Sequence, residues 1–169
     1  MDTGLLLARL VFGSLMAAHG SQKLFGWFGG HGLKAVSGMF ESLGFRPGSF
    51  FAPLAALAEL TSGLLMALGL FGPIGPALML SVMIVAAISV HWPNGLFAMS
   101  NGIEVPLLYA TAAAALTLTG PGRFSLDAVA GLTSIWTPTV AWSALALGII
   151  GGVANLAVRR PAPSAAVAA

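Results

Sequence analysis

The sequence predicts an all-α, polytopic transmembrane helix bundle, and three observations carry that prediction. Hydrophobic residues make up 57% of the 169-residue chain and Asp, Glu, Lys and Arg together only 7%, whereas a soluble domain carries about 25% charged residues. Mean hydropathy is +0.94, so most side chains are suited to lipid rather than water. Finally, the apolar residues fall in continuous runs close to the roughly 20 residues a spanning helix needs. Closed barrels, the other way to cross lipid, require alternation of apolar and polar residues, which these runs lack.

The first run extends from Gly4 to about Phe25, the second from Phe50 to Phe71 and the third from Pro73 to His91, with Gly72-Pro73 punctuating the last two. The fourth, Glu104 to Thr119, is short but opens on a start signal, and the fifth runs from Pro138 to Val158. The first segment lacks a basic leader and a small-residue cleavage site, so it is expected to be retained as a helix. In the connection 26–49, Leu33, Val36, Phe40 and Leu43 recur at helical spacing, as in a short amphipathic helix lying in the interface. A weaker amphipathic stretch, Leu126 to Leu132, follows Pro121-Gly122-Arg123. Trp27, Trp92, Trp136 and Trp142 lie near helix ends, as in an aromatic belt. The expected organisation is a four-helix core with a polar site over 1–135, an additional C-terminal transmembrane helix over 136–160 and a disordered Pro/Ala-rich tail over 161–169.

Five spans put the termini on opposite sides. Lys23, Lys34, Arg46, Arg159 and Arg160 fall on the side of loop 26–49 and the C-terminus, which the positive-inside rule assigns to the cytoplasm of a cell-membrane protein. The net charge of +2 is spread along the chain, without the basic stripe that nucleic acid requires. Membrane lipids are the expected surroundings. Cysteine is absent, which excludes thiol chemistry by the chain itself.

Ionisable residues inside spans are costly and usually face a bundle interior or a cavity. Arg9, His19 and Lys23 fall within an arc of about 80° on the first helix at 100° per residue. Glu59 lies roughly 13 Å into the second helix at 1.5 Å per residue. His91 closes the third helix and Glu104 opens the fourth. Antiparallel neighbours bring these ends to one membrane face, so His19, Lys23, Glu59, His91 and Glu104 are expected to converge there, with the loop from His91 to Gly102 as a lid. Each also has a structural reading. Lys23 can snorkel to headgroups, and Arg9 can do so at the opposite interface. Asn101-x-x-Glu104 can be a capping box. His91 can be an interfacial helix-end residue. Glu59 can be half of an ion pair holding the first two helices together. Gly148-x-x-x-Gly152 matches a close-packing face, used within the bundle or in a homo-oligomer, and Gly13-x-x-x-Ala17 is a weaker version of it.

The run Arg9-Leu10-x-x-Gly13, His19-Gly20-x-x-Lys23-Leu24, Phe25-Gly26-Trp27-Phe28-Gly29-Gly30 resembles the start of DoxX family membrane proteins. Ala58-Glu59-Leu60 with Gly63, His91-x-Pro93-Asn94-Gly95-x-Phe97, Asn101-Gly102-x-Glu104 and Pro121-Gly122-Arg123-Phe124-Ser125-Leu126-Asp127 extend the resemblance over about residues 5 to 130. It implies a four-helix core with the polar residues as its characteristic site. It also implies a link to membrane redox, since the family name is associated with a quinone-linked thiosulfate oxidoreductase and with oxidative-stress assemblies.

The leading expectation is a membrane subunit of a redox or oxidative-stress system, alone or with other redox subunits, that binds quinone at the cluster. A quinone head needs hydrogen-bond donors and a proton carrier at the edge of lipid. His19, Lys23, His91 and Asn101 would hold it, Glu59 and Glu104 would carry protons, and Trp27 and Phe97 would pack on the ring. The alternatives are a scaffold for peripheral redox enzymes and a proton-coupled transporter of small solutes, the latter disfavoured by the absence of inverted repeats. Haem or metal ligation ranks below quinone, because no His-x-x-x-His or Glu-x-x-His pair is present.

Overall fold

The computed structural model describes residues 1–160; the tail expected to be disordered, 161–169, lies outside them. The helices are α1 (Asp2–Phe25), α2 (Gly32–Ser42), α3 (Gly48–Leu68), α4 (Ile74–Ala86), α5 (Glu104–Thr119), the single turn α6 (Leu126–Val129) and α7 (Pro138–Ala157), with no strand among the described residues. α1, α3, α7 and α4 with its extension to Asn94 are each long and apolar enough to span a membrane. α5 is apolar but shorter, and its 16 residues rise about 24 Å at 1.5 Å each. All five predicted traversals are therefore present as helices within a few residues of the expected bounds.

α1 and α3 share the most extensive interface, and glycine makes it. A Cβ on Gly13 would lie 2.6 Å from the backbone nitrogen of Ala67, and one on Gly63 would strike Ala17 and Gly13. With no hydrophobic force to drive helices together in lipid, such backbone approach is what maximises van der Waals contact. Gly63→Leu is therefore expected to push α1 off α3 and turn a monodisperse peak on detergent size-exclusion chromatography into aggregate; an unaltered peak would contradict it. α4 packs on α3 and α5, and α7 packs on α4 and α5. A Cβ on Gly148 would stand 2.5 Å from the carbonyl oxygen of Ala77, and Gly152 faces Ile84. The Gly148/Gly152 stripe is thus filled within the chain, and a homo-oligomer would need another surface.

The two ends are tied across the sequence. The backbone N–H of Arg123 donates to Asp2 Oδ1 at 3.1 Å, so the N-terminus and loop 120–137 share one end. At the other, the Arg160 N–H donates to the Gly44 carbonyl at 2.8 Å and Arg159 Nε donates to the Leu43 carbonyl. The chain therefore traverses the bundle an odd number of times, as the five apolar runs anticipate.

α2 forms where the spacing predicts it. Its apolar face, however, is turned onto protein: it packs on α3 and α1, with Val36 buried. The amphipathic stretch after Leu126 gives only one helical turn, capped by Ser125 Oγ, which accepts from the Ala128 N–H. Gly131 takes positive φ and the Leu132 N–H donates to the Asp127 carbonyl at 2.8 Å, which folds the segment back.

Candidate functional site

Two polar clusters lie inside this apolar bundle, one toward each end. In the first, Lys23 Nζ of α1 forms an ion pair with Glu59 Oε1 of α3. Glu59 sits eleven residues into α3, about 16 Å along it, and is only 3% exposed, while the Lys23 side chain is 28% exposed toward the end of α1. The small residues around them set this geometry. Gly20 on α1 lies against Ala56 and Leu60 of α3, and that approach lets a lysine one turn further reach the carboxylate. Glu59 Oε2 is buried and has no hydrogen-bond partner among the described residues.

That pair forms one wall of a cavity of about 210 Å³. Phe51, Ala55 and Ala58 of α3 and Val82, Val85 and Ser89 of α4 line its sides. Met39 and Phe40 of α2, with Leu43 and Phe45 after it, close one end, and Ser81 of α4 and Asn155 of α7 line the seam between those helices. Beyond Ala86 the last part of α4 widens into a π-type turn, Ala87–His91, in which the Ser89 hydroxyl donates back to the Val85 carbonyl. Single π turns of this kind often occur at functional sites. Asn155 Nδ2 donates to the Gly151 carbonyl at 2.9 Å. The walls are otherwise apolar, so the Lys23–Glu59 pair is their one charged feature.

The expected convergence is only partly realised. Helix polarity puts all five residues toward the same end, but only Lys23 and Glu59 meet. His19 stands at the edge of the α1 polar arc and turns to α5, its ring 6.3 Å from that of Tyr109, with Nδ1 3.1 Å from Gln22 Oε1. His91, Asn101 and Glu104 organise the loop between α4 and α5. His91 Nδ1 lies 2.9 Å from the Asn101 carbonyl, and Glu104 Oε2 accepts from the Ala98 N–H at 2.7 Å. The capping box does not form. Asn101 takes positive φ, and the N–H groups of Ile103 and Glu104 already donate to the carbonyls of Gly95 and Leu96. Trp27 and Phe97 are exposed, and neither they nor the loop residues line the cavity; the cover comes from α2 and the segment after it.

The second cluster holds the opposite end together. Arg9 is 3% exposed rather than extended to headgroups. It donates to the carbonyls of Met66 at 3.2 Å, Phe124 at 2.7 Å, Ala67 at 3.4 Å and Pro121. Those carbonyls end α3 and line the loop after α5, where helix termination leaves acceptors without partners. Asp127 is fully buried and its carboxylate accepts from Phe71 N–H at 2.9 Å, Gly72 N–H at 2.6 Å and Trp136 Nε1 at 2.8 Å. Phe71 adopts positive φ, unusual for a bulky residue, and its bond to Asp127 compensates. The two halves meet at Gly69, where a Cβ would collide with both Ser125 and Arg9. Every acceptor and donor named is satisfied, which marks this cluster as structural. The sequence signal for Asp127 was available: it is one of only five acids, and a buried carboxylate in so apolar a chain must have partners.

Among the described residues no group of three or more His, Asp or Glu is placed to hold a metal ion. A family model, DoxX, matches residues 4–92, which covers α1 to the end of the π-type turn and includes Lys23 and Glu59. No curated protein matches the chain, nor does any solved structure.

Proposed function

The chain belongs to the DoxX family, and from that premise we propose that this multi-pass membrane protein is a subunit of a redox or oxidative-stress system that holds a quinone-type ring in the Lys23–Glu59 cavity. One observation carries the reading. A carboxylate oxygen without a partner is expensive in an apolar interior, and Glu59 Oε2 stands in that state beside an apolar cavity. A ligand with an apolar ring and a polar substituent would satisfy both surfaces. Lys23, partly exposed at the end of α1, would link the carboxylate to water and carry protons between them. The chain has no cysteine, so any thiol or sulfur step would belong to a partner subunit.

The test is the quinone content of protein purified in mild detergent, extracted and measured by absorbance. Wild-type protein is expected to retain quinone. Glu59→Gln, and Ala58→Leu, which fills the cavity without touching the ion pair, should each lower retention about tenfold. His19→Ala should leave it unchanged, because His19 lies on the α5 side of α1. Equal retention in wild type and Ala58→Leu would remove the proposal.

The orientation proposed with it puts loop 26–49 and the C-terminus in the cytoplasm of a cell-membrane protein, on the positive-inside rule. Because the chain has no cysteine, single-cysteine labelling is clean. In intact cells an impermeant maleimide should label Ser134→Cys and spare Ser42→Cys; the reverse pattern would invert the topology.

A further inference from the structure

The cavity beside Lys23 and Glu59 is closed toward one end of the bundle and open along its flank. At the end, the rings of Phe40, Phe45 and Phe51 pack in series with centroids 5.7 Å apart at each step, and Phe45 is buried. The link that carries Phe45 is also tied to α7, since the Arg160 N–H donates to the Gly44 carbonyl and Arg159 Nε to the Leu43 carbonyl. On the flank, α4 packs against both α3 and α7, but among the described residues no comparable packing joins α3 to α7. α4 is therefore the floor of a groove whose two banks stand apart. Leu54 of α3 lines the cavity and is nonetheless 47% exposed. It sits six residues into α3, about 9 Å along it, where the surroundings of an exposed leucine in a spanning helix are lipid. The mouth of the cavity thus lies in the bilayer.

The floor runs from Leu78 to Val90, about 18 Å of helix at 1.5 Å per residue, which is more than a six-membered ring occupies. We infer that the ligand is a tailed lipid, a ring head on a long apolar chain, which enters sideways between α3 and α7 and leaves its chain in this groove. The inference rests on the ring-binding reading above and adds the chain and the route. The head would take the polar part of the cavity. There Lys23 keeps two N–H donors beyond the one engaged with Glu59, and Asn155 keeps a second beyond its bond to Gly151. The chain would lie against Leu54, Leu78 and Val82, through dispersion contacts that are small singly and large together. A tailless head would leave the groove to an unconnected lipid chain, whereas a chain joined to the head arrives at high effective concentration.

The experiment measures binding of two tritiated probes to the full chain in phospholipid nanodiscs by scintillation proximity. One probe is a tailless benzoquinone and the other is the same head carrying two isoprene units, with each affinity referred to the probe's concentration in the membrane. The tailed probe is expected to bind about tenfold tighter, through its added contacts with the groove. Leu54→Trp, which fills the mouth, should cut that advantage to about twofold or less and leave the tailless probe unchanged. Leu57→Trp, on the same helix and exposed but outside the cavity lining, should alter neither. A photoreactive diazirine at the end of the chain should label α3 and α7. Equal membrane-referred affinities, or labelling confined to residues 26–49, would overturn this inference and leave the ring-binding proposal standing. Failure of both probes to bind would overturn the two together.

Discussion

Asp127→Ala is expected to lower the melting temperature by about 10 °C or more, read from intrinsic tryptophan fluorescence in detergent. The substitution leaves three N–H donors, of Phe71, Gly72 and Trp136, without their acceptor. Each buried donor so stranded costs about 1–3 kcal/mol, and about 1 kcal/mol moves the melting point of a domain this size by roughly 2–4 °C. Phe71 would also lose the bond that holds it at positive φ, and Trp136, whose ring lies against Gly72, would lose its anchor. Asp127→Asn keeps one acceptor oxygen and should fall between the two. A melting point within about 2 °C of wild type for the alanine variant would show that these bonds do not hold the end of the bundle.

Lys23→Met should have an effect of similar size for a different reason. It removes the countercharge of Glu59 and leaves both oxygens of a carboxylate that is 3% exposed without a partner. Breaking one side of a buried pair costs about 3–5 kcal/mol. Lys23 keeps some exposure, so the lower end of that range, near 3 kcal/mol, is the expected loss. The double variant Lys23→Met/Glu59→Met removes the charge as well and should recover most of the stability, since an apolar pair often replaces a buried ion pair without loss. It should nevertheless fail to retain quinone. Stability restored without binding would separate the structural role of the pair from its role in the cavity. A double variant as unstable as Lys23→Met would mean that the carboxylate is not the source of the cost.

The glycine contacts show how the two polar clusters come to coexist. Gly13, Gly20 and Gly63 draw α1 and α3 to backbone contact, so polar side chains on α1 find α3 groups within reach at both ends. Arg9 meets the carbonyls that terminate α3, and Lys23 meets Glu59. On a looser pair of helices both cations would face lipid.

Much of this was legible in the chain. The five long helices follow from continuous apolar runs, four of them long enough to cross lipid and α5 shorter, since span length is set by the bilayer and not by the fold. Glu59 stood out for the same reason: a charge so far along an apolar run has to be paired. Helical periodicity placed Arg9, His19 and Lys23 in one arc, but an arc of that width meets two neighbours. α3 took Arg9 and Lys23, and α5 received the edge where His19 stands. Likewise, helix polarity put His91 and Glu104 at the correct end without revealing that backbone geometry in the loop would engage them.

Composition and apolar run length were enough to place the five long helices, their approximate limits and a carboxylate that needed a partner, because each follows from the cost of polar groups in lipid. Tertiary structure alone decided which cation supplies that partner, that Asp127 receives three donors, and that α2 and α7 enclose a cavity beside Glu59. Those outcomes depend on how closely helices approach and in which direction each side chain points, and both are properties of packing between segments distant in the chain.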